Sequence, residues 1–454
     1  MWSSHLRTLT VGLVMSVTLV ASEQLAVATV LPRVARDLHG HTLYGWVFSA
    51  FILGSLVGTV VAGQQVDRAG PAPAFTVGAS LFAVGLVIGG LAQHMPVLVA
   101  GRAVQGFGAG AVPAVAYAVI GRAYPDALRP RMFAILSTAW VVPGLAGPAL
   151  AGLVSEHFGW RAVFLGLLPL VAIAVALTVT ALRGVGAPTV ARPAPSSRTR
   201  LAIVLAVGTA VFLTGSTSHR PAVAFPLAAL GLAIAFRPLR RLLPPGTLQG
   251  RPGLPAAIAM RGLNNFAFFG ADAFVPLALT RVRHQSTLFG GAALTAATLT
   301  WTAGAWIQAR FINRIGARRL VREGLGLIVV GVTLALVTLS SAVPAALGIV
   351  AWAIAGLGMG LAYAPISLVV LREAPEGEEG TSSASMQLAD NLGVALGTGL
   401  GGAAIAYGEI AHWAPGAGIA IAFGLALAVA VVGAVASSGL PGPEAVEQLE
   451  HLSP

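Results

Sequence analysis

Residues 161–182 read RAVFLGLLPLVAIAVALTVTAL, and after Arg161 no charged side chain follows until Arg183. A run of about 20 apolar residues is the length that crosses the hydrocarbon core of a bilayer as a helix. Comparable runs recur along all 454 residues, of which 56% are hydrophobic and only 9% charged, with a mean hydropathy of +0.84. Because a soluble domain carries roughly a quarter charged residues, the sequence predicts a polytopic membrane protein and excludes a water-soluble one.

The apolar runs predict helices and not the strands of an outer-membrane barrel. Residues 201–211 read LAIVLAVGTAV and are apolar on every face, whereas a barrel strand alternates apolar and polar side chains over about ten residues. Cysteine is absent, which excludes disulfides and thiolate metal sites. The sequence also lacks a phosphate-binding loop after a strand, metal-ligand spacing and a nucleophile with its base, so we expect no enzyme.

At roughly 20 residues per crossing, the sequence predicts fourteen spans. We expect the first span to be retained and not cleaved as a signal peptide, because it is long enough to cross and contains Glu23. The seventh and eighth are short, so twelve spans plus a re-entrant or interfacial hairpin is the alternative. The predicted spans are 8–31, 44–62, 74–93, 97–120, 132–154, 161–182, 201–217, 221–236, 254–280, 286–308, 324–342, 345–369, 384–406 and 415–438.

The distribution of arginine predicts the orientation of the chain. All 27 basic residues are Arg, and Arg102 and Arg261 lie inside spans. The segments outside the spans must lie alternately on the two sides of the membrane, and nineteen Arg fall on one side and six on the other. Because basic loops are retained on the cytoplasmic side, we expect both termini in the cytoplasm of a bacterial plasma (inner) membrane. The net charge of +11 therefore reflects the Arg residues that orient the chain in the membrane, and we expect no nucleic-acid partner.

The chain repeats itself at an offset of about 250 residues. This offset aligns QGFGAG at 105–110 with AGLGMG at 355–360, and Gly147 with Gly397. Parallel halves with substrate handled between them near the midplane are a transporter architecture. We predict an all-α membrane fold with six-helix bundles at 1–182 and 254–440, linkers and a two-helix hairpin at 183–253, and a cytoplasmic tail at 441–454.

Four short motifs follow one another along the first half. They are Gly63-x-x-x-Asp67-Arg68-x-Gly70 after the second span, Arg102-x-x-Gln105-Gly106-x-Gly108 in the fourth, Gly147-Pro148-x-x-Ala151-Gly152 in the fifth and Gly159-Trp160-Arg161-x-x-Phe164 at the start of the sixth. In this order they resemble motifs of the major facilitator superfamily and, within it, of the fourteen-helix drug:proton antiporters. The resemblance covers nearly the whole chain and implies transport by alternating access of two six-helix halves.

The resemblance also implies conformational roles for particular residues. Gly63, Asp67, Arg68 and Gly70 match the cytoplasmic loop signature, where we expect Asp67 to cap or brace a gate. Gly147, Pro148 and Gly152 match the antiporter motif.

Two departures from the family pattern stand out. Pro71-Ala72-Pro73 follows the loop signature where the family normally has basic residues, so the loop has lost most of its positive charge. Asp390 stands in the thirteenth span where the family commonly has a basic residue.

Two acids predict proton coupling. Glu23 lies about 22 Å along the first span, within a hydrocarbon core of roughly 30 Å. A carboxylate there is costly unless it faces a cavity or a partner, and such a group can exchange a proton when a cavity opens. Shifting Glu23 by 249 residues reaches Asp272 in the ninth span, the second candidate. Structural pairing with an Arg or a backbone donor is the alternative for Glu23, and exposure to water is the alternative for Asp272.

Three further charged residues lie in the predicted spans. Arg102 is about five residues into the fourth span, where we expect it to be close enough to the cytoplasm to snorkel. It is either a fixed cation that lowers the proton affinity of a nearby acid or a donor to main-chain carbonyls of the fifth span. We expect Arg261 and Asp390 to be gate residues rather than substrate ligands.

The fifth span predicts both close packing and a bend. Gly144, Gly147 and Gly152 have the spacing that lets two helices approach closely, and Pro143 and Pro148 remove backbone hydrogen bonds, so we expect the helix to bend. Polar and aromatic residues on several spans are candidates for the substrate cavity, with core or lipid-facing packing as the alternative. These candidates are Trp46, Gln105, Trp140, Asn264, Asn265 and Phe268.

Together these features predict a proton-coupled antiporter that exports multiple hydrophobic or amphipathic compounds and so confers multidrug resistance. We expect it to use the proton gradient and no cofactor or metal, and to work as a monomer surrounded by membrane lipid. A lipid or metabolite exporter on the same scaffold, or a membrane receptor or scaffold that has lost transport, are the alternatives.

Overall fold

The structure is a computed structural model, and every regular element within the residues that it describes is helical, which confirms the all-α prediction. Part of the predicted linker (187–196) and the predicted tail after Pro441 lie outside the described residues. The described residues are 4–40, 43–186, 197–216, 218, 221–414 and 416–441.

Seventeen α-helices occupy the described residues. The first ten are α1 (Ser4–Asp37), α2 (Tyr44–Ala69), α3 (Pro71–Leu91), α4 (Met95–Ala123), α5 (Arg129–Thr138), α6 (Val141–Phe158), α7 (Trp160–Leu165), α8 (Leu168–Leu182), α9 (Ser197–Ser216) and α10 (Pro221–Leu242). The remainder are α11 (Leu254–Asp272), α12 (Val275–Leu277), α13 (Thr287–Ile315), α14 (Ala317–Val337), α15 (Leu347–Glu373), α16 (Glu379–Ile410) and α17 (Ala417–Ala436).

The helices form two compact units. The first comprises residues 1–210 and 374–388, and the second comprises residues 211–373 and 389–454. Both α9 and α16 pass from one unit into the other. The first residues of α16 therefore belong to the first unit, which the sequence did not indicate, and the predicted domain boundaries at 182 and 254 stay predictions.

Each of the fourteen predicted spans is matched by helical structure. Within the part of the chain that the structure describes, eleven segments are long and apolar enough to cross a membrane, and they include both helices of the predicted hairpin, α9 and α10. The other three predicted spans correspond to α11, α13 and α16, of 19, 29 and 32 residues. Two of these carry the buried charges Arg261 and Asp390.

Three of the predicted spans are interrupted, each just before a proline. The fifth breaks after Thr138, the sixth after Leu165 and the ninth after Asp272. Proline has no N–H to donate to the carbonyl four residues earlier. Pro143 lies four residues after the first residue beyond α5, whereas Pro169 and Pro276 lie four residues after the last residues of α7 and α11. The fifth span is thus interrupted where the sequence predicts a bend, and the ninth ends its regular helix at Asp272.

The repeated glycine motif packs the centre of the first unit. A Cβ atom on Gly106 would collide with the backbone of Phe51 in α2, and one on Gly108 would collide with the backbone of Gly78 and Phe82 in α3. Alternate glycines of α4 therefore face two different helices. Without side chains at these positions the backbones come into contact, which strengthens dispersion and shields the main chain.

The second unit repeats this arrangement. A Cβ on Gly356 would meet Ala297 of α13, and one on Gly358 would lie 2.9 Å from Leu327 Cβ of α14. The helix α15 thus packs between α13 and α14 as α4 packs between α2 and α3. The internal repeat predicted from the sequence is a repeat of backbone contact.

Substitution by alanine should affect stability differently at a glycine in close contact with another helix and at a glycine with open space beside it. Gly106→Ala should lower stability by about 1–3 kcal/mol, the usual effect of overpacking a close contact. Gly326→Ala is the control, because no atom lies within 4 Å of the added carbon, and alanine in a helix is favoured by up to about 1 kcal/mol over glycine. Thermal unfolding of the purified protein measures both. Equal melting temperatures for the two variants would contradict this account of the motif.

Candidate functional site

Glu23 lies in the middle of α1 and is completely buried. Its Oε1 atom accepts a hydrogen bond from Nη1 of Arg102, whereas Oε2 is buried with no hydrogen-bond partner among the described residues. The carboxylate is therefore held on one side by a cation and left unsatisfied on the other. A proton on Oε2 would remove the buried negative charge of such a group.

Arg102 is only 2% exposed, so the prediction that it snorkels to a membrane surface is wrong. Its Nη1 also donates to Gln105 Oε1 at 2.8 Å, and its Nε donates to the carbonyl of Val47 at 3.2 Å. The guanidinium carbon lies 4.3 Å from the centroid of the Phe51 ring. The carbonyl that Arg102 binds belongs to α2 and not to the fifth span. These partners inside the bundle offset the desolvation that would otherwise draw the side chain to water.

The local sequence explains this geometry. Arg102 and Gln105 are three residues apart on α4 and so share a face. The same turn carries Gly106, which brings α2 close enough for the Val47 carbonyl and the Phe51 ring to reach the guanidinium. The motif that begins at Arg102 thus combines one cation with the close packing that surrounds it.

The corresponding acid of the second unit has a different partner. Oδ1 of Asp272, at the end of α11, accepts a hydrogen bond of 2.7 Å from Nε1 of Trp352 on α15, and the Asp272 side chain is half-buried. Asp272 is offset from Glu23 by 249 residues and Trp352 is offset from Arg102 by 250. The two units therefore hold an acid and its partner at repeat-related positions, but the partner is a guanidinium in one and a neutral indole in the other.

An aromatic cluster extends from Trp352 through the second unit. Trp352 stacks on Phe268 with centroids 5.3 Å apart, Phe268 contacts Trp301 at 5.6 Å, and Trp301 contacts Tyr363 at 5.4 Å. The Tyr363 hydroxyl donates to Oδ2 of Asp390 at 3.2 Å. A continuous series of aromatic rings thus extends from the partner of Asp272 to the partner of Asp390.

Arg261 and Asp390 form a buried ion pair, so the structure brings these two predicted gate residues together. Asp390 accepts hydrogen bonds from Nε and Nη2 of Arg261, from Asn265 Nδ2 at 2.8 Å and from Tyr363. Nη1 of Arg261 donates to the Tyr363 carbonyl at 2.6 Å and to Ser367 Oγ at 2.9 Å. Asp390 thus has four donors, which favours its ionised form. Glu23 and Asp272 have one each from a side chain.

The six candidate cavity residues are divided between the two units, and their role in a substrate cavity stays a prediction. Three lie in each unit, and only Trp46 and Trp140 are exposed, at 37% and 43%. The buried ones have protein partners: Gln105 binds Arg102, Asn265 binds Asp390, and Asn264 Nδ2 lies 2.9 Å from the Met359 sulfur. Phe268 is buried within the aromatic cluster.

The loop signature forms a second charged cluster in the first unit. Asp67 accepts hydrogen bonds of 2.7 Å from the backbone N–H groups of Gly380 and Thr381, in the first turn of α16. Nη2 of Arg122, on α4, donates to Asp67 at 3.1 Å and to Glu379 at 2.7 Å. A carboxylate is stabilised at a helix N-terminus by these unpaired donors and by the helix dipole. Asp67 thus caps the first turn of α16, and its predicted role at a cytoplasmic gate stays a prediction.

The remaining residues of the signature explain how the cluster forms. A Cβ on Gly63 would lie 2.5 Å from the Gly380 carbonyl, so glycine permits the contact between α2 and α16. Gly70 has a φ of 88°, which glycine adopts readily and which lets α3 begin at the next residue. Arg68 is exposed.

The two carboxylates that bind Arg122 differ in their electrostatics. Burial outweighs the hydrogen bonds and the charge of Arg122 and leaves the pKa of Asp67 above its usual value. Burial acts to raise the pKa of Glu379, but hydrogen bonds and the charge of Arg122 outweigh burial and leave that pKa below its usual value. A lowered carboxyl pKa means that the contribution of the pair is present above the unfolded-state pKa and is lost as the pH falls through the folded-state value.

The fifth-span motif does not pack as predicted. No atom lies within 4 Å of a Cβ placed on Gly152, and for Gly147 only the Leu25 side chain does, at 3.8 Å. Pro148 is exposed. The prediction of a close helix contact at these glycines is wrong for this structure, because small-residue spacing indicates a smooth face but not that a neighbour occupies it.

The sequence analysis missed Arg122, Glu379, Trp352 and Tyr363. Only Trp352 had an available signal, because the 250-residue offset places it opposite Arg102. Among the described residues, no group of three His, Asp or Glu side chains could hold a metal ion.

Two proteins of Mycobacterium tuberculosis are similar in sequence. A probable multidrug-efflux transporter is 27% identical over 436 residues, which are 92% of this chain and 90% of that protein. Multidrug resistance protein Stp is 27% identical over 395 residues, 85% and 73% of the two chains. Among solved structures, a human organic anion transporter has the same fold, with a TM-score of 0.71 and 15% identity over 96% of this chain and 100% of that one.

The sequence profile of the Major Facilitator Superfamily matches residues 12–398. The match includes the four motifs of the first half and the repeated glycine motif of the second, whose packing is described above. On the evidence of this match and of the fold, the chain belongs to the major facilitator superfamily.

Proposed function

We propose that this transporter exports hydrophobic or amphipathic compounds in exchange for protons, and that Glu23 is the group that carries the proton. The substrate class is supported by similarity to proteins named for multidrug efflux and multidrug resistance. The proton role is supported by the geometry of Glu23, whose two oxygens have different surroundings. We expect no cofactor other than the proton gradient and no catalytic activity.

The proposed mechanism depends on competition between a proton and Arg102 for the carboxylate of Glu23. When Glu23 is ionised, Arg102 neutralises it inside the bundle. When Glu23 is protonated, it no longer needs a cation, and the guanidinium must find other partners or water because a buried charge without a partner is unfavourable. The two protonation states therefore favour different positions of Arg102, which is what coupling of proton transfer to conformation requires.

The three acids of the spans divide into two kinds. Asp390, with four donors, is a fixed charge that holds α11, α15 and α16 together. Asp272, with one neutral donor and a half-buried side chain, is the second candidate for proton exchange. The number of donors thus ranks Glu23 and Asp272 ahead of Asp390.

The orientation follows from the arginine distribution. We propose a bacterial plasma membrane location with both termini in the cytoplasm, so that the Asp67 cluster lies on the cytoplasmic side. The proposed cycle is alternating access, with a monomer in a lipid bilayer as the working unit.

Removing the titratable group should uncouple transport. Glu23→Gln keeps the shape of the side chain and an oxygen for Arg102 but cannot exchange a proton, so efflux driven by a pH gradient should fall at least about tenfold, as for loss of a proton-transfer group. The measurement is ethidium movement in proteoliposomes with an imposed gradient. Glu156→Gln, an exposed glutamate on α6, is the matched control. Equal gradient-driven rates for the two variants would refute the role of Glu23.

The ion pair should be coupled in stability. Arg102→Gln leaves a buried carboxylate without its cation, which costs about 3–5 kcal/mol or forces protonation. Combining it with Glu23→Gln removes both charges, so the double variant should be more stable than Arg102→Gln alone. Melting temperatures of the four proteins in the cycle measure this. Strictly additive losses would mean that the two charges do not depend on each other.

Asparagine substitutions should distinguish the two acids of the second unit. Asp390→Asn leaves Arg261 buried beside a neutral group and should lower the melting temperature markedly, since breaking a buried pair costs about 3–5 kcal/mol. Asp272→Asn can still accept the Trp352 hydrogen bond, so it should retain stability and change gradient-driven efflux. The reverse ranking of the two melting temperatures would contradict the division between fixed and exchangeable acids.

A further inference from the structure

The first turn of α9 lies beside the Asp67 cluster. Thr199 Oγ1 donates to Gln64 Oε1 at 3.4 Å, and Gln64 precedes Asp67 by about one turn of α2. The contact joins the hairpin helix to the helix that carries the loop signature. These residues all belong to the first compact unit.

Arg198, the neighbour of Thr199, brings a charge to the same place. Its side chain is half-buried, and its guanidinium interacts electrostatically with the carboxylates of Glu378 and Asp67. Glu378 immediately precedes α16 and lies next to Glu379, to which Arg122 donates. Arg198 and Arg122 therefore act on one group of acids from two different helices.

Arg198 lowers the net negative charge of this cluster from two to one. Three carboxylates, those of Asp67, Glu378 and Glu379, are accompanied by the guanidinium groups of Arg122 and Arg198. Without Arg198 one cation would remain for three anions, and like charges a few ångströms apart repel appreciably where burial lowers the effective dielectric. The segment after the loop signature, Pro71-Ala72-Pro73, supplies no charge.

We propose that Arg198 is a positioning residue for this cluster. Through Arg198 the hairpin helix α9 supplies positive charge that residues 71–73, at the start of α3, do not supply, and so keeps Asp67 on the first turn of α16. This inference rests on the proposed transport cycle only in assigning the cluster to a gate. It gives the two-helix hairpin a specific task, because movement of α9 would weaken the hold of Asp67 on α16.

A buried serine in the same region offers a reporter. Ser383 lies on α16 one turn after Gly380 and is 0% exposed, and the chain contains no cysteine. Ser383→Cys is therefore a nearly isosteric, unique thiol whose reaction with N-ethylmaleimide reports opening of the cluster. Labelling is measured on the full-length protein in liposomes without substrate or pH gradient.

In this background Arg198→Gln should raise the labelling rate about fivefold, which is the factor that corresponds to about 1 kcal/mol, the upper range for a partly exposed ion pair. Arg198→Lys retains the charge and should restore most of the slow rate. Arg200→Gln is the matched control, because Arg200 lies on the same turn but is exposed, and it should label at the parent rate. Arg198→Gln and Arg200→Gln labelling alike, or Arg198→Lys behaving as Arg198→Gln, would overturn the proposal.

A second variant makes the test independent of the folding of the first. If Arg198 acts by offsetting the negative charge of Glu378 and Asp67, Arg198→Gln should raise labelling less in a Glu378→Gln background than in the parent. An undiminished effect of Arg198→Gln in that background would likewise overturn the proposal.

The labelling test is separable from the transport proposal. It requires no proton movement, so a Glu23→Gln variant with normal gradient-driven efflux would remove antiport and leave the result on Arg198 standing. Faster labelling of a Ser16→Cys reporter, a buried site on α1, would indicate general loosening instead of a local effect and would count against Arg198 as a positioning residue.

Discussion

The first unit is organised around a carboxylate and a guanidinium that are both removed from water. Either charge alone would be unfavourable by several kcal/mol at this depth, so the side chains of Glu23 and Arg102 require each other and the groups around them. The Gln105 amide, the Val47 carbonyl and the Phe51 ring meet the remaining demands of the guanidinium. The carboxylate is left with one satisfied oxygen, which makes it the less stable partner and the one suited to exchange a proton.

The two units stabilise the acids of their helices in different ways. In the second unit a well-satisfied ion pair between Arg261 and Asp390 lies apart from an acid, Asp272, that has only an indole donor. Structural pairing and exchangeability are thus separated into different residues, whereas in the first unit Glu23 combines both. The break before Pro276 ends the regular helix at Asp272 and leaves that acid half-buried.

The sequence predicted the parts of the fold that depend on local chemistry. Span positions follow from apolar length, and the interruption before Pro143 follows from the missing N–H. The site was less accessible, because burial of Arg102 depends on which neighbours accept its hydrogen bonds, and because the contact between Arg122 and Glu379 joins residues 257 positions apart. The open face at Gly152 has the same origin: spacing describes one helix surface and says nothing about the surface opposite.

The glycine contacts of α4 and α15 have a historical implication. If the two halves arose by gene duplication, backbone contact would have prevented divergence at Gly106 and Gly356, where even a methyl group collides with a neighbouring helix. Positions 102 and 352 differ, with Arg in one half and Trp in the other. Two halves of one ancestral architecture can therefore come to hold their buried acids with unlike partners while the backbone contacts stay constant.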